Sequence, residues 1–266
     1  MKIKVLVLTG EGLNCETETA HAFRLAGAEP TIVHIRDLFE NSRLIRESQI
    51  LALIGGFSHG DHLGAGSVLA HQIGLRLKEE LDLFLSKDGL LIGICNGFQV
   101  LTRTGILPGV QGRWEPQVTL THNDCGSFEN RWVHLRVHQN TNCIWTQGLE
   151  HLYLPVRHGE GKFFSPGKEL ITSLENSGKV VMQYVDGLNF EPTMEYPYNP
   201  NGSMNSIAAI TNDKGTILGM MPHPEAFLMP WHHPMYPRLK AQDRLKQIGT
   251  PGTALFQNAV DRLRGS

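Results

Sequence analysis

The strongest constraint on the fold lies in the first half of the chain, where short apolar segments alternate with helical patterns. Ile3 to Leu8, Ile50 to Ile54 and Leu90 to Ile94 are apolar nearly throughout, and Thr31 to Ile35 reads as a further strand. A strand without polar alternation is buried on both faces, and such strands belong to parallel sheets covered by helices on either side. The intervening segments supply those helices. Asn14 is an N-cap candidate for a helix from about Cys15 to Leu25, with Glu16 and Glu18 in its first turn and Gly27 to end it. Ile73, Leu77, Leu81 and Phe84 recur at the spacing of one amphipathic helix. A further helix is expected from about Asn96 to Thr102. The fold class is therefore α/β with a mostly parallel central sheet, whose sites form at the carboxyl ends of the strands.

The second half reads as strands at His134 to Val137, Val180 to Val185, Ile207 to Ile210 and Ile217 to Met221, then a helix from Thr253 to Leu263. Asn199-Pro200-Asn201-Gly202-Ser203 is a loop, and the stretch 228–250 is rich in Pro and His with little periodicity. No linker separates the halves, so residues 1–266 are expected to form one domain with an insertion at about 228–250. A net charge of −2 gives no general attraction to nucleic acid or anionic membrane. The N-terminal apolar run is too short for a signal or a span, so the protein is expected in the cytosol. The four cysteines, Cys15, Cys95, Cys125 and Cys143, fit no zinc spacing and are expected as free thiols.

Position singles out one of them. Gly93-Ile94-Cys95-Asn96-Gly97 follows a strand and precedes a helix, the nucleophile-elbow pattern with cysteine in place of serine. Small neighbours permit the sharp turn, and the helix N-terminus favours negative charge on the sulfur. The N–H of Asn96 points where an oxyanion would form. A thiolate also needs a base. His223 lies in Met221-Pro222-His223-Pro224-Glu225, again at a strand end, and Glu225 is placed to turn back onto the imidazole. Gly55-Gly56-Phe57-Ser58 follows the third strand, and Gly56 N–H is a natural second oxyanion donor. His59 and His62, or His232 and His233, have no spacing that favours metal ligation over a surface position.

Gly93 to Gln99 with Met221 to Glu225 resembles the triad glutamine amidotransferases. More narrowly, the chain resembles the glutaminase subunits of phosphoribosylformylglycinamidine synthase. That resemblance rests on Gly12-Leu13-Asn14-Cys15, Gly56-Phe57-Ser58 with Gly60-Asp61, Leu107-Pro108-Gly109, His158-Gly159-Glu160-Gly161 and the Asn199 to Ser203 loop. It implies a flavodoxin-like three-layer α/β/α fold. It also implies Cys95 as nucleophile, His223 as base, Glu225 as its orienter, and Gly56 and Asn96 as the oxyanion hole. Phe57 and Gln99 are expected against the bound glutamine, and His158 and Glu160 near that pocket or the partner surface. Family members commonly carry tyrosines at the positions of His59 and His62, and an arginine where Ala226 stands.

The implied substrate is L-glutamine, and the implied partner is a larger ATP-dependent synthetase subunit, with a small bridging subunit in some members. This chain has neither a P-loop nor a G-x-G-x-x-G pattern, so ATP and Mg²⁺ are expected on the partner and no cofactor or metal on this chain. The competing readings are an amidotransferase serving another synthetase, a non-catalytic partner-binding protein on the same scaffold, and a redox-sensing cysteine protein.

Overall fold

The computed structural model describes residues 2–265. Its centre is a nine-stranded sheet that takes strands from both halves of the chain. The first half gives β1 (Lys4–Thr9), β2 (Glu29–His34), β3 (Ile50–Leu53) and β4 (Leu90–Ile94). The second gives β6 (Glu129–Val137), β7 (His151–His158), β9 (Val180–Val185), β10 (Ile207–Thr211) and β11 (Ile217–Met220). A separate antiparallel pair is formed by β5 (Thr119–Thr121) and β8 (Lys162–Phe164). The sheet order is β2-β1-β3-β4-β11-β10-β9-β6-β7. From β2 to β11 every pairing is parallel, and beyond β11 every pairing is antiparallel. The parallel portion has the flavodoxin-like order 2-1-3-4, whose ligand sites lie at the carboxyl ends.

Helices cover both faces. α1 (Glu16–Leu25) packs with the last helix, α9 (Thr253–Arg264). Phe23 and Phe256 meet edge to face at 4.9 Å between them, a geometry that contributes about 0.5–1.5 kcal/mol beyond simple burial. Between β2 and β3 lie α2 (Ile35–Glu40) and α3 (Arg43–Glu47), and α3 packs against α5 (Lys78–Ser86). Next to these lie α4 (Ser67–Arg76) and α6 (Asn96–Arg103), while α7 (Lys168–Asn176) precedes β9. The core strands are apolar because they are enclosed: β3, β4, β9, β10 and β11 are buried at every position. Among the described residues no helix is long and apolar enough to cross a membrane.

Three local expectations need correction. The single amphipathic helix expected through Ile73 and Phe84 is two, α4 and α5, parted at Leu77 with φ −122°. Asn14 does not cap α1: Cys15 holds that position, and the Asn14 side-chain oxygen instead accepts from the Cys15 thiol at 3.4 Å. The Asn14 amide is also drawn away, donating to the Gly55 carbonyl at 3.2 Å. Finally, β7 lies between the strands expected at His134 to Val137 and Val180 to Val185, where none was expected.

The Pro- and His-rich stretch 228–250 contains α8 (Tyr236–Ala241) and three-residue and four-residue turns at Pro230–His232 and Leu245–Ile248. It leaves and returns at one point, because Gly252 N–H donates to the Phe227 carbonyl at 2.7 Å. Leu228, Leu239 and Ile248 are buried beneath it. His233 anchors it on the outer strands, with ring centres 5.7 Å from Trp132 and 5.4 Å from Tyr153.

Candidate active site

The carboxyl ends of β3, β4 and β11 lie side by side, and each delivers one part of a site. β4 ends in Cys95, whose φ of 51° and ψ of −106° are unusual for a residue with a side chain. Such backbone strain stores on the order of 1–3 kcal/mol and lifts the thiol out of the strand-to-helix turn. The turn is tight enough to require glycine beside it: a Cβ at Gly97 would lie 2.1 Å from the Leu53 carbonyl oxygen. Cys95 N–H donates to the Met220 carbonyl at 2.8 Å, which ties the elbow to β11.

β11 leads into His223 and Glu225. His223 Nδ1 and Glu225 Oε1 are 2.6 Å apart, and both side chains are almost completely buried. Burial acts against a charge on the imidazole, but the Glu225 carboxylate overrides it and holds the His223 pKa well above the ordinary histidine value. Nδ1 is thereby committed to Glu225, while Nε2 has no hydrogen-bond partner among the described residues. The Cys95 thiol points at the Arg157 carbonyl, 3.6 Å away. The His223 amide donates to the Pro155 carbonyl at 2.8 Å. Both carbonyls belong to β7, so this edge strand forms a wall of the site.

β3 leads into Gly55-Gly56. Gly56 has φ 140°, and a Cβ on it would lie 2.6 Å from Leu13 Cα. Only glycine fits. Its N–H and that of Asn96, at the first turn of α6, have no acceptor among the described residues. Phe57 follows at the surface, 42% exposed, against Phe128 at 6.1 Å.

Asn96, Gln99 and Glu160 are linked. Asn96 Nδ2 donates to Gln99 Oε1 at 2.9 Å, and Gln99 Nε2 donates to the Glu160 carbonyl at 2.6 Å. The Glu160 carboxylate accepts from Ala65 N–H at 3.1 Å and lies 3.6 Å from Arg103. Asp61 faces this group. Burial, then the nearby Glu160 charge, pushes its pKa up to about 6.

His158 lies inside the wall, not on its surface. Its Nδ1 meets Asn123 Oδ1 at 3.1 Å and its Nε2 meets Asn201 Nδ2 at 3.4 Å, so both ring nitrogens are engaged. Burial, then the proximity of His223, pushes its pKa down to about 4. Asn201 also donates to the Gly161 carbonyl at 2.8 Å, and Ser203 Oγ accepts from Phe163 N–H at 2.9 Å. The Asn199 to Ser203 loop thus buttresses the His158 to Gly161 segment from behind.

Sequence reasoning missed Cys15, Asn123 and Arg157. Cys15 follows the carboxyl end of β1, on the same edge as the other groups, and that placement was the available signal. Asn123 and Arg157 join the site only through long-range packing. The histidines weighed as metal ligands have local roles: His59 meets Gln72 at 3.3 Å, and His232 and His233 accept from backbone amides of their own segment.

The chain as a whole is matched by known proteins. A family model for the CobB/CobQ-like glutamine amidotransferase domain covers residues 2–261. The chain is 44% identical over 261 residues to phosphoribosylformylglycinamidine synthase subunit PurQ of Dehalococcoides mccartyi, covering 97% of each chain. It is 38% identical over 264 residues to the PurQ subunit of Methanococcus maripaludis, again covering 97% of each. A chain of the PurLQS structure from Thermotoga maritima superposes with a TM-score of 0.70 at 28% identity, covering 99% of this chain and 100% of that one. A glutamine amidotransferase from Thermotoga maritima, at 16% identity and a TM-score of 0.54, shares the fold across the whole of both chains. The chain belongs to the glutamine amidotransferases, in the family of PurQ subunits of phosphoribosylformylglycinamidine synthase.

Proposed function

We propose that this chain hydrolyses L-glutamine to glutamate and ammonia in the cytosol and hands the ammonia to a larger ATP-dependent synthetase subunit. The observation that carries this reading is the strained backbone turn that presents the Cys95 thiol near the buried His223–Glu225 pair, at the strand ends that also carry Gly56 and Asn96.

The steps follow from that geometry. Cys95 gives its proton to His223 Nε2 and attacks the side-chain amide carbon of glutamine. The Gly56 and Asn96 amides hold the resulting oxyanion. The imidazolium, stabilised by Glu225, returns its proton to the departing nitrogen. Ammonia leaves, and a glutamyl thioester remains on Cys95. Water then attacks the thioester, His223 takes its proton, and collapse of the second tetrahedral intermediate releases glutamate and the thiol. Gln99 is fixed through Asn96 and the Glu160 carbonyl close behind the elbow. His158 acts behind it by holding the wall in place.

Ammonia is protonated in water near neutral pH and loses its nucleophilicity, so the product must pass directly to an acceptor site. ATP and Mg²⁺ act there, on the partner. Exposed Phe57 and Phe128, with ring centres 6.1 Å apart, supply an apolar patch suited to such a partner. Glutamate release from glutamine by wild type and by Cys95→Ala, with and without a purified phosphoribosylformylglycinamidine synthase large subunit, tests the assignment. Release that depends on Cys95 and rises with the partner supports it. Folded, partner-bound protein that releases no glutamate overturns it in favour of a non-catalytic binding protein.

A further inference from the structure

Behind the catalytic pair, three buried donor atoms of different chemistry converge. Cys15, His223 and Glu225 each place one ligand-type atom within 4.8 Å of the other two. All three residues are buried. The space between them exists because residue 55 is glycine: a Cβ there would sit 3.1 Å from Cys15 Sγ and 2.7 Å from His223 Cε1. Glutamine hydrolysis uses the histidine and the glutamate but leaves the Cys15 thiol without a task. Its hydrogen-bond partner is the side-chain oxygen of the adjacent Asn14, at 3.4 Å. A second observation is that Glu225 Oε2, which the hydrolysis does not use, is buried without a hydrogen-bond partner among the described residues. Buried polar atoms are nearly always satisfied, so this oxygen marks coordination capacity that the protein itself leaves open.

We propose that Cys15, His223 and Glu225 form an inhibitory Zn²⁺ site. One sulfur, one nitrogen and one oxygen donor suit this ion, with a fourth position left for water. The thiol and imidazole discriminate against Mg²⁺, which prefers oxygen donors and keeps its waters. Zinc bonds of about 2.0–2.3 Å require the donors to draw together by roughly 1 Å, a side-chain adjustment. Charge balances on binding: Zn²⁺ enters, the thiol and the imidazolium each release a proton, and the ion then neutralises one thiolate and one carboxylate. An imidazole bound to metal through one nitrogen keeps its remaining proton on the other. It cannot take the proton of Cys95, so hydrolysis stops while the ion is held.

The test is direct Zn²⁺ binding by competition with a chromophoric chelator, which reads the site whether or not the chain hydrolyses glutamine. The full chain carries Cys95→Ser and Cys125→Ser to remove the catalytic and the exposed thiol. We expect one equivalent of Zn²⁺ bound by this protein, and affinity weaker by on the order of 100-fold when Cys15→Ser or Cys15→Ala is added. Circular dichroism and melting temperature confirm that each variant is folded. In the otherwise wild-type enzyme, Zn²⁺ should inhibit reversibly on chelation, and Mg²⁺ in large excess should not. Binding unchanged by both Cys15 substitutions, binding lost with Cys95→Ser alone, or no stoichiometric binding at all would each overturn the proposal.

Discussion

Gly55→Ala gives the sharpest reading of how closely the site is built. The added Cβ would lie 2.7 Å from His223 Cε1 and 3.1 Å from Cys15 Sγ. Atoms in van der Waals contact sit about 3.5–4.0 Å apart, so the imidazole must retreat by roughly 1 Å. The backbone does not resist, because Gly55 is not in the left-handed region and alanine can adopt its conformation. The ring has little freedom to move: its Nδ1 is held 2.6 Å from Glu225 and its own amide is fixed to Pro155. Misplacing a positioned group by about 1 Å lowers a rate by up to about 100-fold. The expected outcome is a kcat for glutamate release reduced roughly 10- to 100-fold, with KM little changed and the far-UV spectrum intact. Gly74→Ala in α4 is the control, since a Cβ there meets nothing within 4 Å; it should leave activity unchanged. A Gly55→Ala enzyme with wild-type kcat would refute the placement of His223 against residue 55.

Two further outcomes follow from the charges. Glu225→Gln keeps the shape but removes the anion that raises the His223 pKa, and it should lower kcat by about 100- to 10,000-fold. Because that pKa is raised on folding, the pair's stabilising contribution is full below the unfolded histidine value near 6.5 and is lost as pH rises through the folded value. The melting-temperature advantage of wild type over Glu225→Gln should therefore narrow on the alkaline side, and a widening gap would contradict the assignment. His158 behaves oppositely. With its folded pKa near 4, the unfolded chain binds the proton first, so stability falls as pH drops from about 6.5 toward 4, by about 3 kcal/mol in all. Ring NMR should show this imidazole neutral at pH 5.5; titration near 6.5 would disprove its burial.

What could be read from the sequence was whatever local sterics enforce. The Gly93-Ile94-Cys95-Asn96-Gly97 elbow is legible because the turn admits only small neighbours, as the 2.1 Å clash at Gly97 makes explicit. His223 and Glu225 are legible as a pair because a single residue, Pro224, separates them and prolines flank the histidine on both sides. The fully apolar strands β3 and β4 announced their burial. Periodicity, in contrast, reports which side chains are buried and not whether the backbone is continuous. Ile73, Leu77, Leu81 and Phe84 are all buried, yet the helix breaks at Leu77. β7 was hidden by Pro155, which would exclude an inner strand but is tolerated here because β7 is an edge and pairs only with β6. Asn14 failed as a cap because its amide and side chain were already committed to Gly55 and Cys15. The support of His158 by Asn123 and Asn201 spans 35 and 43 residues, and no local pattern encodes a contact of that range.

The account turns on Cys95 forming a covalent bond with the acyl group of glutamine. Acid quenching of the enzyme during turnover, followed by mass spectrometry of its peptides, measures this directly. The structure predicts a glutamyl adduct on the peptide carrying Cys95, absent from Cys95→Ala and more abundant in Glu225→Gln if the second, hydrolytic half-reaction is slowed more than the first. Glutamate release by Cys95→Ala, or an adduct on Cys15 in its place, would contradict the central claim.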